Sequence, residues 1–392
     1  MTEIRPHVVV IGGGYAGTLA ANHLRLRADI DITLINPRPR FVERIRLHQL
    51  VAGNHDATAD YGTLLGEGIR LVVDSATRID TPARRVHLAS GRRPLRYDYV
   101  VYAVGSTAAT PPEVLGAAEF AYPIAEFEAA QRLRDALDDL HPDAPVTVVG
   151  AGLTGIETAS ELAGQGRKVT LVCGGLLAPS LSEAGRRSTG RWLARHGVAV
   201  LEDDVVREVR PHAVVFADGA VRPSAVTIWT AGFGVPDLAA ASGLSTDALG
   251  RLLTDETLTS VDDPRVVAAG DCAAPSDRPL RMSCQAAGPL GVAAADTVLS
   301  RIAGTDPAAI EPRFVAQCVS LGRHAATLQF THADDSPAKL HVGGRLAASV
   351  KEAICKGTLW GMRREARKPG SAFVFPGERR SIADAPQAVT NP

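Results

Sequence analysis

Apolar residues gather in short unbroken runs along this chain, and the runs recur in a fixed order. Residues 8–36 read VVVIGGGYAGTLAANHLRLRADIDITLIN: a β-branched run, a glycine-rich turn, an alanine-rich stretch and a second apolar run. Residues 146–173, VTVVGAGLTGIETASELAGQGRKVTLVC, repeat that order roughly 138 positions later. Short runs that are apolar throughout predict strands buried on both faces, as in a parallel sheet, with a covering helix between them. Two more runs, YDYVVYAVGS (97–106) and AVTIWTAGFG (225–234), end in Gly105 and Gly232, one per unit. The run DPRVVAAGDCAA (263–274) ends in a glycine and Asp271, which puts that carboxylate either at a strand end facing a crevice or in a turn or N-cap. From residue 312 the pattern changes to alternating strands, FVAQCVSL and AATLQFTH, a Gly343–Gly344 turn and a helical segment.

Both turns are GxGxxG, with Gly12, Gly14 and Gly17 in the first and Gly150, Gly152 and Gly155 in the second. One glycine permits the tight turn, one lets backbone approach a pyrophosphate, and one lets helix and strand pack closely. The helix N-terminus, opening at Tyr15 and Ala16 in one unit and near Thr154 in the other, offers free N–H groups and partial positive charge. A single such loop can be no more than a turn. Two, each with strand before and helix after, predict two dinucleotides. The fold class is therefore α/β: two Rossmann-like dinucleotide-binding domains, the second inserted in the first, plus a small C-terminal α+β region. The predicted boundaries are 1–115 with 246–311, 116–245, and 312–392.

Composition narrows the partners. At 392 residues the chain exceeds a usual single core, and 45% hydrophobic with 22% charged residues fits a soluble globular protein. A net charge of −1 carries no polyanion signature, so nucleic acid is excluded as a partner. The charge is uneven: residues 339–380 hold ten Lys/Arg and three Asp/Glu, a local +7 that leaves −8 elsewhere. Cys173, Cys272, Cys284, Cys318 and Cys355 form no CxxC or CxxxxC pair, so neither a metal site nor a redox dithiol is expected, and a reducing cytoplasm is the simpler setting. The N-terminus enters a strand without a signal-peptide core, and no apolar run reaches the roughly 18 residues that would span a membrane.

With these motifs in place the chain resembles the two-dinucleotide-binding-domain flavoproteins of the pyridine nucleotide-disulfide oxidoreductase-like superfamily, and among them the type II NADH dehydrogenase branch, over roughly residues 5–370. The resemblance implies FAD on the first GxGxxG and NADH or NADPH on the second. It implies that Asp271 bonds the flavin ribityl chain, that Ala76 borders the adenine, and that Ala103 to Gly105 line the FAD. Gln285 and Ala286 would approach the isoalloxazine, and Glu157 would lie where nicotinamide meets flavin, making Glu157 and Gln285 the catalytic positions.

Four departures qualify it. Asn36 stands where the family usually carries a ribose-binding acid, so a charge-assisted bond becomes a neutral one, weaker by about 1 kcal/mol. Cys173, followed by Gly174 and Gly175, takes the matching place in the second unit and leaves NADH and NADPH both open; Arg186 and Arg187 nearby read as a solvated helix face. CQAAGPLG (284–291) keeps Gln285 but has Pro289 where the quinone-reducing branch has a later glutamine. FVERIRLHQLVAG (41–53) lacks the CxxxxC of the disulfide reductases, excluding their dithiol chemistry.

Hydride transfer between cofactors needs no Ser/His/Asp set. His48, beside Arg44, Arg46 and Gln49, reads as a phosphate or acceptor contact or as a packed histidine; Cys284 reads as a reactive thiol or a small buried hydrophobe. In residues 344–370, Leu346, Val350, Ile354 and Trp360 recur at helical spacing, with Lys351, Lys356 and residues 363–368 on the polar side. That helix can lie on an anionic membrane at the inner face of the cell membrane, pack on the protein's own body, or dock an acidic electron carrier. Residues 377–392 are expected to fray. The leading function is an FAD-dependent NAD(P)H dehydrogenase passing electrons to a quinone or similar small acceptor. The alternatives are a reductase of a rubredoxin- or ferredoxin-like protein and an NAD(P)H-responsive sensor without turnover. Monomer and homodimer both remain open.

Overall fold

The computed structural model describes residues 5–372 and Gly377, so the tail expected to fray lies otherwise outside the described residues. Two five-stranded parallel sheets carry the fold. The first runs Val266–Ala268, Tyr99–Tyr102, His7–Ile11, Asp31–Asn36, Ile69–Val73. The second runs Ala121–Pro123, Val226–Trp229, Pro145–Val149, Lys168–Val172, Ala199–Leu201. Their registers match: Ile11 pairs with Ile35 and Tyr102, and Val149 with Val172 and Trp229. Val8, Val9, Val10, Val146 and Val148 are fully buried, as unbroken apolar strands between helices must be.

The sheets differ in where the outermost strand originates. In the first it comes from far downstream, after the whole second sheet has been laid down, so one unit is spliced into the other. Thr107–Ala108 and Phe233–Gly234 pair antiparallel where the chain leaves the first lobe and returns. Past this pair, Leu238, Ala239 and Leu244 lie in the first core. Each lobe also carries an antiparallel three-stranded ribbon: 76–80, 85–88 and 95–96 in the first, 206–210, 213–216 and 221–223 in the second.

The C-terminal region is three antiparallel strands, Ala316–Leu321, Ala325–Thr331 and Pro337–Gly343, followed by the helix Gly344–Arg367. The third strand has no clear period in the sequence, and the Gly343–Gly344 pair passes directly from this strand into the helix, with Gly344 at φ +80° as its first residue. Val319 and Leu321 enter the second core while Met362 enters the first, so this region bridges both lobes.

Most of the apolar row read from its helical spacing faces outward, and one residue of the polar side turns inward. Leu346 (67%) and Trp360 (57%) are exposed, and Ile354 is too. The body-facing stripe is Ala347, Cys355, Met362 and Ala366. Lys351 belongs to that stripe, with a side chain only 13% exposed, and not to the solvated side. Small residues at helical spacing let the helix approach closely, and Lys351 finds a buried carboxylate, so contact geometry overrides apparent amphipathicity. No described helix is long and apolar enough to cross a membrane.

Candidate functional site

What a methyl group would meet at each loop glycine separates their roles. Gly12 and Gly150 hold φ of +101° and +112°, and a Cβ there would meet Ala103 O at 2.2 Å or Thr230 Oγ1 at 2.6 Å. At Gly17 and Gly155 it would lie 1.9 and 1.8 Å from the carbonyls of Gly12 and Gly150. These four glycines are demanded by the protein's own packing. Gly14 and Gly152 are different: no described protein atom lies within 4 Å of their Cβ positions. Each sits at the N-cap of its helix, before Tyr15–His23 and Leu153–Gly164, where backbone N–H groups are free for an anion. The chain's own atoms do not require those two glycines, and an approaching pyrophosphate would.

Over the first loop lies a cleft of about 330 Å³. Of the predicted residues, Gly12, Gly14, Tyr15, Ala16, Asn36, Ala76, Ala103, Gly105 and Asp271 line it. Gly17 lies beneath, packing the helix, and the buried Ala286 gives way to its neighbour Ala287 at the wall. The cleft is elongated, from Asp74–Ala76 across the loop to Gly270–Asp271, a shape and chemistry that fit a dinucleotide.

Three features of this wall were not visible in sequence. Asn36 Oδ1 accepts the Gly13 N–H (3.0 Å) and its Nδ2 donates to the Arg38 carbonyl (2.7 Å), so the amide pins the loop. Tyr61 closes the same glycine from the other side, donating to Gly13 O at 2.6 Å. Asp271 Oδ2 accepts the Ser106 hydroxyl (2.7 Å), which in turn accepts from Arg44 Nη1 (2.9 Å). Asp271 thus stands at the crevice, on the turn Gly270–Cys272, in a hydrogen-bonded chain that fixes its orientation. Ser106 directly follows Gly105, the one sequence signal that could have found this chain; Tyr61 and Arg44 come from other segments.

The second cradle is more open. Gly152, Gly174, Gly175 and Gly232 are exposed, Thr154 and Cys173 half-buried. Arg187 pairs with Glu183 (2.7 Å) on an exposed helix face, as its position indicated.

Between the lobes and the C-terminal region lies a buried polar cluster. Glu157, 7% exposed, binds Lys351 Nζ, accepts the Ser320 N–H at 3.0 Å and faces His48 Nδ1 at 3.5 Å. Burial alone would raise the Glu157 carboxyl, but the Lys351 ammonium, by charge and by hydrogen bond, and the Ser320 N–H outweigh it and hold the carboxyl below its usual range. His48 is pushed down to about 4 by burial, so it is neutral and packed, the second of its two sequence readings. Lys351 Nζ also donates to the Cys318 carbonyl (3.1 Å). Gln285 turns onto the same region, its amide placed to accept from Val315 N–H (3.0 Å) and donate to Ala316 O (2.9 Å). Cys284 is half-buried with its thiol raised by burial, the behaviour of a small hydrophobe. Glu157 and Gln285 therefore converge on one strand, Ala316–Leu321, from the second and first lobes. Among the described residues no group of His, Cys, Asp or Glu could hold a metal.

Two Rossmann-like cradles, one spliced into the other and joined by a paired crossover, define a two-dinucleotide α/β protein. The chain belongs to the pyridine nucleotide-disulphide oxidoreductase family, whose model matches residues 6–291. It is 32% identical over 314 residues to an NADH dehydrogenase-like protein of Mycobacterium tuberculosis, covering 72% of this chain and 78% of that one. It is 25% identical over 327 residues to the type II NADH:quinone oxidoreductase of Haemophilus influenzae, covering 68% of this chain and 73% of that one. In fold it is similar to the sulfide:quinone oxidoreductase of Aquifex aeolicus, with a TM-score of 0.83 at 22% identity over 98% of this chain and 99% of that chain.

Proposed function

We propose that this protein is an NAD(P)H dehydrogenase that keeps FAD in the first cleft, receives NAD(P)H at the second cradle and delivers electrons to a quinone or similar small acceptor. The observation that carries this reading is the pair of glycines, Gly14 and Gly152, left free of protein contacts at two helix N-termini. When bound, a flavin supplies hydride acceptance from a reduced nicotinamide and onward electron release.

The chain's own residues bind and orient. Gly12–Ala16 present backbone N–H groups to a diphosphate, and Asn36 and Tyr61 fix Gly13 in the conformation that does so. Ser106 and Arg44 hold Asp271 toward a ribityl hydroxyl. Glu157, Lys351 and His48 keep charge and hydrogen bonds where the two lobes meet the C-terminal strands. The relative from Haemophilus influenzae, named as a quinone reductase, supports the acceptor class. The exposed row Leu346, Ile354 and Trp360, with Arg364 over the Trp360 ring, suits the surface of an anionic bilayer from which a lipid-soluble acceptor would be drawn.

Purified protein should be yellow and should bleach when NADH or NADPH is added without oxygen. Steady turnover should follow with menaquinone analogues and not with small iron–sulfur proteins. Rapid bleaching without turnover on any acceptor would instead favour a sensor.

A further inference from the structure

The second unit has no acid at the end of its second strand, yet a carboxylate stands beside that position. Val172 pairs with Leu201, and the chain leaves the sheet at Glu202. Three backbone bonds lash the loop to this neighbouring strand end: Cys173 N–H to Leu201 O (2.8 Å), Gly174 N–H to Asp204 O (3.1 Å) and Gly175 N–H to Glu202 O (2.6 Å). The Glu202 side chain reaches back over the loop and accepts the Leu177 N–H at 3.1 Å. The Cys173 thiol registers its presence, being pushed up to about 12 by burial and then by the Glu202 charge. Glu202 and Asp203 are exposed, and residues 173–182, CGGLLAPSLS, contain no cation.

In a Rossmann-like unit the adenosine ribose lies beyond the glycine loop, over the end of the second strand. We infer that Glu202 determines nucleotide specificity at the second cradle, accepting from the ribose hydroxyls of NADH and turning away the 2′-phosphate of NADPH. This rests on the second cradle being the pyridine nucleotide site. The acid usually found on the second strand is supplied here from the third, across backbone bonds that hold it in register. A 2′-phosphate would bring roughly −1.5 to −2 charges against Glu202 and Asp203 with no loop cation to receive them. Arg186, one turn into the next helix, is the nearest cation in sequence and belongs in the test.

Two readouts on the full-length flavoprotein decide the matter: anaerobic flavin bleaching by NADH and NADPH, and calorimetric binding of ADP-ribose and its 2′-phosphorylated form. The unphosphorylated ligands should be favoured by roughly 100-fold in both, the scale of a like-charge mismatch. Glu202→Gln keeps an oxygen for the Leu177 N–H while removing charge, and should narrow both ratios by about tenfold. Asp203→Asn should narrow them less, and serves if Glu202→Gln fails to fold. Equal or better use of the phosphorylated ligands, or ratios unmoved in both variants, overturns the inference. So does loss of 2′-phosphate binding in Arg186→Ala, which would place the phosphate on the helix. If neither nucleotide bleaches the flavin the functional reading fails, yet the calorimetric ratio still decides Glu202.

Discussion

Gly12 and Gly150 take the same left-handed turn, and Gly17 and Gly155 press on equivalent carbonyls, yet the surroundings of the two loops diverge. The first loop is clasped: Asn36 and Tyr61 hold Gly13, and Arg38, Arg44, Ser106, Asp271 and Ala287 wall the cleft above it. The second is flanked by exposed glycines at 174, 175 and 232 and by the exposed side chain of Leu176. On the proposed reading, the same local physics would serve two kinds of occupancy. A group surrounded on many sides and desolvated is retained, while one laid on an open shelf can exchange in each turnover. The difference lies in the walls and not in the motif.

The largest effect that would break this comparison is at the shared packing glycine. Gly17→Val would drive a side chain into the Gly12 carbonyl, where only backbone could yield, at a cost beyond the ~1–3 kcal/mol of ordinary overpacking. No soluble protein is expected on expression, and the same holds for Gly155→Val. A soluble yellow Gly17→Val protein would mean the loops are not built as described. Gly152→Val, facing open space, should fold and stay yellow while losing bleaching by pyridine nucleotides in stopped flow. Colourless protein from that variant would count against the assignment of the two cradles.

The C-terminal helix sharpens the contrast, because a buried ion pair ties it to each lobe. On the second lobe, Lys351→Met would strand the buried Glu157 carboxylate and cost about 3–5 kcal/mol in denaturant unfolding. The double variant with Glu157→Gln should recover most of that loss; if it recovers none, the pair is not the cause. On the first lobe His23 bridges Glu365 (2.8 Å) and Asp296 (3.0 Å). Burial opposes its charge, but these two carboxylates win and raise it from 6.5 to about 9. A raised histidine contributes stability that is fully present below pH 6.5 and lost as pH climbs through about 9. Melting temperature should therefore fall across that window, by at most a few kcal/mol equivalent, and His23→Gln should flatten the fall. An unchanged slope in the variant would assign it to other groups.

Strands, glycine loops and the duplicated order were legible in the sequence because they rest on local terms: apolar runs, left-handed turns and helix starts within about thirty residues of one another. Nine of the predicted cofactor contacts line one cleft for the same reason, since they follow from strand ends and loop positions. Tertiary structure decided what depends on distant partners. Lys351 reads as a surface cation until the fold brings Glu157, 194 positions away, against it. Leu346 and Trp360 read equally as a face for a membrane, for a partner or for the protein's own body until the fold turns them outward and seats Ala347 and Ala366 on the body. Glu202 belongs to no motif in the sequence, and strand pairing alone sets it beside Cys173. Periodicity records which residues are apolar, but the direction a side chain faces and the charge it meets are fixed only when separate segments pack.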